Sequence, residues 1–273
     1  MEREREGAGA PKQVICISWG PRYGASYINR LYAMVARNVT PPFTFTAFTD
    51  SAEGVRPEVD CQPIPEMGEM PEGTPGKWRK SALWSAELGD LKGPVLFIDL
   101  DVVVTGSLDP LFSHGDPNDV ILARNAAKPF GRLGQTSIYR FPVGKLAPMQ
   151  RVFLQDPQGV GERYRYEQFF VTENAPGGVR FWPRSWVRHF RIECVPPFPL
   201  NLWRAPRIPK GARVVIFAGS LNPPDAIAGR WNARGEHRSV REHIAHVRAT
   251  GGGFGALRRY LKPTPWVEKL WRE

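Results

Sequence analysis

The sequence predicts an α/β fold, on three observations. Short β-rich runs alternate with segments of helical periodicity along most of the chain, the pattern of a sheet with helices packed on it. The apolar run Val95-Leu96-Phe97-Ile98 ends abruptly in Asp99-Leu100-Asp101, and open α/β sheets bind ligands at the carboxyl ends of their strands. With 273 residues, 42% hydrophobic and 23% charged, the chain has the length and composition of an ordinary globular protein with a full core. Composition divides it into a disordered leader at 1–12, a principal domain at 13–225 and a basic helical appendage at 226–273.

The elements follow in order. Residues 13–18 (QVICIS) read as the first strand, closed by Trp19-Gly20-Pro21. Ile28, Leu31, Tyr32 and Val35 then recur at i, i+3, i+4 and i+7, one face of a helix. A second strand at 43–49 ends at Asp50. From there to Gly76 the chain carries Pro57, Pro63, Pro65, Pro71 and Pro75. Proline lacks the amide donor a regular element needs, so this stretch is a surface excursion. A helix is expected at 77–88 and a strand at 94–98. Strands at 119–123 and 136–141, helices at 145–154 and 162–171, and strands at 179–181 and 213–217 complete the principal domain. In the appendage, a helix at 239–248 precedes Gly251-Gly252-Gly253, and a last helix begins at Thr264-Pro265 with Trp266, Val267, Leu270 and Trp271 on one face.

Charge and cysteine usage exclude several function classes. No apolar run approaches the ~20 residues that span a bilayer. Residues 1–10 lack the apolar core of a secretory signal, so a cytoplasmic protein is expected. Cys16, Cys61 and Cys194 are far apart and form no metal-binding spacing, which argues against a disulfide framework or a structural zinc. Of the net charge of +10, the segment 226–273 carries +6, with ten Lys/Arg against four Asp/Glu. A basic surface concentrates anionic ligands. With Arg258, Arg259, Lys262, Trp266 and Trp271, the tail suits the inner face of an anionic membrane, as basic Trp-bearing segments do. The same tryptophans could instead fold back onto the protein. No nucleic-acid-binding motif is visible.

Three segments carry candidate chemistry. Two carboxylates at i and i+2 of a strand fall on one side, so Asp99 and Asp101 offer hard oxygen donors to Mg²⁺ or Mn²⁺. In an isolated Asp-x-Asp they would more often be turn or capping residues. Lys77-Trp78-Arg79-Lys80 opens the expected helix at 77–88. Cations there oppose the helix dipole at ~0.3–1 kcal/mol each. They make sense facing phosphates, or snorkelling into solvent. Glu167, beside Gln168 in the expected helix at 162–171, is either a base toward a hydroxyl or a solvated helix residue. His243 and His246 are three apart on a helix but lack a third ligand, and His114 and His189 receive no role.

The acidic pair and its surroundings resemble the GT-A nucleotide-sugar glycosyltransferases, particularly the glycogenin and galactosyltransferase-like family 8 and its bacterial relatives. The resemblance rests on Asp99-Leu100-Asp101-Val102-Val103-Val104 followed by Ser107-Leu108-Asp109-Pro110-Leu111-Phe112, and spans about 13–225. It implies a GT-A mixed sheet flanked by helices and a metal-assisted transfer from a nucleotide-diphosphate sugar, UDP-linked most commonly, to a glycan or lipid-linked acceptor. It implies further that Trp19, Gly20 and Tyr23 contact the nucleotide, that Thr49 and Asp50 lie near the base, and that Lys80 contacts the donor. Gln135 and Ser137 would lie beneath the sugar, Glu167 and Gln168 near sugar and acceptor, and Gly219 in a late donor loop. Asp99 and Asp101 would hold Mn²⁺ or Mg²⁺. The family's late metal-ligating His is absent, because Ile216 and Ala218 stand where it is expected, and Asn222 replaces the usual Lys.

Two other readings compete. A haloacid-dehalogenase-type phosphatase also places Asp-x-Asp after an apolar strand, but on the first strand of the chain. A noncatalytic basic protein at a membrane surface would use the tail alone.

Overall fold

The computed structural model describes residues 11–68 and 78–273. The calls on 1–10, Pro71, Pro75, Gly76 and Lys77 lie outside the described residues. In chain order the elements are β1 (Lys12–Ser18), α1 (Gly24–Ala36), β2 (Phe43–Thr49), β3 (Asp60–Gln62), a 3₁₀ segment (Arg79–Trp84), β4 (Pro94–Ile98), β5 (Val102–Val104), α2 (Asp109–Ser113), β6 (Val120–Arg124), β7 (Gly134–Pro142), α3 (Ala147–Gln155), α4 (Pro157–Arg163), α5 (Glu167–Asn174), β8 (Val179–Phe181), β9 (Val187–His189), β10 (Val214–Ile216), α6 (Pro223–Ala228), α7 (Val240–Ala249), α8 (Phe254–Leu257) and α9 (Pro265–Leu270).

The chain divides into two compact units, 1–100 with 107–184, and 101–106 with 185–273. This differs from the compositional break at Ala226. Backbone pairing recruits β9, β10 and the short β5 into one sheet, and a change in charge is blind to that pairing. The leader expected at 1–12 is also too long, because Lys12 already belongs to β1.

The first unit is built on a seven-stranded sheet in the order β3-β2-β1-β4-β7-β6-β8. Strands β3, β2, β1 and β4 run parallel, β7 is antiparallel to both β4 and β6, and β6 is parallel to β8. The parallel strands are apolar almost throughout, as strands buried on both faces must be: Val14, Ile15 and Cys16 of β1 and Val95–Ile98 of β4 are fully buried. Helix α1 follows the predicted face, with Ile28, Leu31 and Val35 buried.

Two predicted helices take another form. Residues 77–88 were expected to be α-helical, and the structure forms a 3₁₀ turn at Arg79–Trp84 instead. Trp78 and all of Ser81, Ala82, Leu83 and Trp84 are buried, so packing on more than one side sets the shape of this short turn. The expected helix at 162–171 is broken into α4 and α5. Between them Tyr164 has φ −113° and ψ 111° and Tyr166 is extended. The break turns Tyr164 inward, where its ring meets Phe170 edge-on at 5.2 Å, and makes Glu167 the first residue of α5.

An aromatic cluster fixes these pieces. Trp78 stacks on Phe153 at 5.1 Å, Phe170 lies 6.0 Å from Trp78 and 5.7 Å from Trp84, and all four rings are buried. Aromatic pairs of this kind contribute ~0.5–1.5 kcal/mol each beyond their burial. The 3₁₀ turn, α3 and α5 are thereby bound into one core.

The second unit carries a three-stranded sheet, β5-β10-β9, with β10 antiparallel to β5 and parallel to β9. Around it pack α6 and α9, and α7 pairs with α8. Helix α7 begins at the predicted Ser239, in a reciprocal capping box with Glu242. In α9 Val267 is fully buried and Trp271 nearly so, and the Trp266 indole donates to Pro206 O at 3.1 Å. The apolar face expected to meet a bilayer is therefore largely consumed by this unit's own core. Among the described residues no helix is long and apolar enough to cross a membrane.

Candidate active site

The carboxyl end of β4 holds the most concentrated chemistry of the first unit. Asp99 follows the last strand residue, and its amide donates to Ser137 O at 2.8 Å, prolonging the β4–β7 ladder by one rung. Its carboxylate accepts from Lys80 Nζ at 2.7 Å and from the Ser137 hydroxyl. The same ammonium donates to Thr136 O at 3.2 Å and lies 3.7 Å from Glu167 Oε1. Glu167 in turn accepts a short hydrogen bond from the Thr136 hydroxyl. A half-buried ammonium is thus shared by two carboxylates. Its side chain lies 5.3 Å from the Phe97 ring centre, which adds a cation–π contact.

The positions follow from local structure. The 3₁₀ turn buries Ser81, Ala82, Leu83 and Trp84 and leaves Lys80 half-buried. Glu167 stands in the first turn of α5, where the helix dipole favours a negative charge. Burial raises the Asp99 carboxyl above its ordinary range, against the Lys80 charge and hydrogen bond that lower it; the Glu167 charge raises it further. Two carboxylates share one ammonium in a partly desolvated place.

Around this cluster, Gln135 donates to the Ser137 hydroxyl at 3.0 Å and accepts from Asn125 at 3.4 Å. The close packing of Gly134 lets β7 enter here: a Cβ on it would meet Leu122 Cδ2 at 2.5 Å. The sequence pointed to Lys80, Asp99, Gln135, Ser137 and Glu167, and the structure brings all five into one network. It adds Thr136 and Asn125. A threonine in a strand gives no sign by itself that its hydroxyl will meet a carboxylate 31 positions on. Gln168 is half-buried on α5 and its carbonyl accepts from Thr172 at 2.6 Å; among the described residues no hydrogen bond joins its side chain to the cluster.

A second feature lies at the carboxyl ends of β1 and β2. A cavity of 610 Å³ is lined by Ser18, Gly20, Pro21, Thr49, Asp50 and Gly54, among others. The Gly20 amide donates to Asp50 Oδ2 at 2.7 Å, with Gly20 at φ +60°, a conformation glycine adopts without strain. Thr49 is buried and its hydroxyl donates to Ser51 O. Trp19 packs against the core, and the Tyr23 ring lies 4.8 Å from that of Tyr27. Gly20, Thr49 and Asp50 are therefore together at this cavity, whereas Trp19 and Tyr23 are held chiefly by aromatic and core contacts.

Asp101 opens the segment 101–106 that belongs to the second unit, after a turn at 100–101. The carboxylates thus stand in a turn beyond β4, not within a continuing strand. Gly219 lies beyond β10 at φ +91°. Ile216 is buried in β10 and pairs with His189 of β9.

For a divalent cation the donor chemistry fits in kind. Asp99 and Asp101 are hard oxygen donors, and Mg²⁺-like ions take one or two carboxylates with water and substrate phosphate completing the shell. Among the described residues no three His, Cys, Asp or Glu side chains converge as a protein-only metal cage.

Comparison with solved structures decides the architecture. LgtC, a galactosyltransferase in a complex with donor and acceptor sugar analogues, matches at a TM-score of 0.52 and 14% identity, over 94% of this chain and all of that one. The fold is that of the GT-A glycosyltransferases. The glycosyltransferase GlyE of Streptococcus pneumoniae TIGR4 matches at a TM-score of 0.54 and 12% identity, over 78% of this chain and 56% of that one. The bifunctional glycosyltransferase WbbM matches at 0.53 and 13%, over 80% and 47%. No protein-family model and no curated protein matches the chain. In this GT-A sheet the acidic pair follows the fourth strand, not the first as the phosphatase reading requires.

Proposed function

We propose that this chain is a glycosyltransferase that moves a sugar from a nucleotide-diphosphate sugar, UDP-linked, to a hydroxyl of a glycan or lipid-linked acceptor. The observation that carries the reading is the part-buried Lys80–Asp99–Glu167–Thr136 network at the carboxyl end of β4, in a fold shared with glycosyltransferases. In this reading Asp99 and Asp101 would hold Mn²⁺ or Mg²⁺, which when bound supplies positive charge to the departing diphosphate. Lys80 holds Asp99 and Glu167 in place and offsets their mutual repulsion. Thr136 fixes the rotamer of Glu167, which orients the sugar or accepts the acceptor proton. Gln135 and Ser137 form a hydrogen-bonded floor beneath the sugar. Gly20, Thr49 and Asp50 line the place of the nucleotide base, with Trp19 and Tyr23 beside them, and Gln168 lies near the sugar and acceptor.

The experiment is a nucleotide-release assay with a panel of UDP- and GDP-sugars in Mn²⁺, with and without glycan acceptors. UDP release is the expected result, falling about 10²-fold in Glu167→Gln, the scale at which a positioned acid or base contributes. Release undiminished in that variant would remove Glu167 from the reaction, and no release from any sugar nucleotide would overturn the reading.

A further inference from the structure

Arg191 of the second unit has a guanidinium with two buried nitrogens and, among the described residues, no ion pair. It stands in the π-helical turn Phe190–Cys194, a local geometry frequent at functional sites. Its Nε and Nη2 are buried without a hydrogen-bond partner, although an unmade bond to a buried polar group costs ~1–3 kcal/mol and more for a charged one. The guanidinium lies 5.3 Å from the Trp231 ring centre, which holds it in place without supplying an acceptor.

Two other arginines of this unit have close carboxylate partners. Arg188 meets Glu193 and Arg230 meets Asp225, each at 2.7 Å. Arg191 instead lines a cavity of 910 Å³ together with Ser220, Trp231, Asn232, Arg258 and Arg259, and the cavity wall holds no carboxylate. Burial, with the charge of Arg259 added, lowers Arg191 below the ordinary guanidinium range, as expected where like charges face a space that nothing negative fills. Gly219 flanks the guanidinium, its Cβ position 3.6 Å from Nη2; at φ +91° a side chain there would be strained.

We propose that this cavity binds a phosphate-bearing ligand, gripped by Arg191 and Arg259. Arg191, Arg258 and Arg259, which have no ion pair among the described residues, call for more than one negative charge, and the planar guanidinium fork matches the oxygens of a phosphoryl group. Trp231 keeps the Arg191 fork oriented, and the backbone and hydroxyl of Ser220 with the Asn232 amide offer further polar contacts at the wall. The phosphate can come from a nucleoside diphosphate or from a phosphorylated sugar. The proposal does not depend on the proposed transfer, since a chain inactive as a transferase would still bind the probe.

The test is calorimetric titration of inorganic pyrophosphate into the full chain at fixed ionic strength with no divalent cation. Arg191→Gln and Arg259→Gln should each weaken binding at least tenfold, and Arg191→Lys, which keeps the charge without the fork, should fall between. Arg151→Gln, on the exposed side of α3, should bind as the native chain does. Competition by UDP or by glucose 1-phosphate then names the source of the phosphate. The proposal is overturned if pyrophosphate does not bind, or if Arg191→Gln and Arg259→Gln, folded by circular dichroism, bind it as tightly as Arg151→Gln.

Discussion

Lys80 shows how one side chain organises a site. Its ammonium is 2.7 Å from Asp99 and 3.7 Å from Glu167, carboxylates that would otherwise repel across a partly desolvated space. Removing one partner of such a group leaves buried charge unpaired, which costs more than the pair contributes. A different residue governs the pH response of the second unit. Burial, together with the charge of Arg191 and against that of Glu193, pushes the His189 imidazole down to about 4. The folded state therefore prefers the neutral ring. Its contribution is complete above the unfolded value near 6.5 and is lost as pH falls from there toward 4. Urea titrations at pH 7.5 and pH 5 should show a steeper loss of stability in the native chain than in His189→Leu, by on the order of 1 kcal/mol. Equal losses would place His189 in a solvated setting. At this scale the sequence disclosed residue types at meaningful spacings, such as Lys80, Asp99 and Glu167. It concealed Thr136, whose partner is set by the β7–α5 approach, and Arg191, whose isolation is visible only once every carboxylate has a place.

The elements that carry the site are short and depend on packing for their shape. Arg79–Trp84 and α5 are each about two turns long, below the length at which helices persist alone. Their common support is the ring cluster of Trp78, Trp84, Phe153 and Phe170. Phe170→Ala should destabilise the first unit by ~3–5 kcal/mol, the usual cost of truncating a buried phenylalanine, and nucleotide release by the remaining folded protein should fall because α5 carries Glu167. A denaturation midpoint within error of the native chain would show that the rings do not hold these elements. The same packing explains where sequence periodicity misled. Residues 81–84 are buried on every side of a 3₁₀ turn inside a segment of helical composition, and the Tyr164–Tyr166 break has neither Gly nor Pro to announce it. The strands at 43–49, 94–98 and 179–181 were legible to the residue, because apolar runs bounded by polar turns leave little freedom.

For the whole molecule, the longer strands and helices of the α/β alternation were readable, while the short β3, β5 and β9 and the division of the chain were not. Alternation predicted the α/β class, and the resemblance carried by the acidic pair pointed to the GT-A architecture. The assignment of 101–106 to the second unit depends on β5 pairing with a strand more than a hundred residues later, which no local pattern encodes. The charge of the tail was legible, but its tryptophans are largely occupied in packing. What the molecule does hinges on whether a nucleotide diphosphate is bound at the acidic end of β4. The direct measurement is calorimetric titration of UDP and of GDP with and without Mn²⁺, into the native chain and into Asp99→Asn. The account predicts UDP binding that requires the metal and is lost in the variant. Nucleotide binding indifferent to both Mn²⁺ and Asp99, or no binding under any of these conditions, would contradict it.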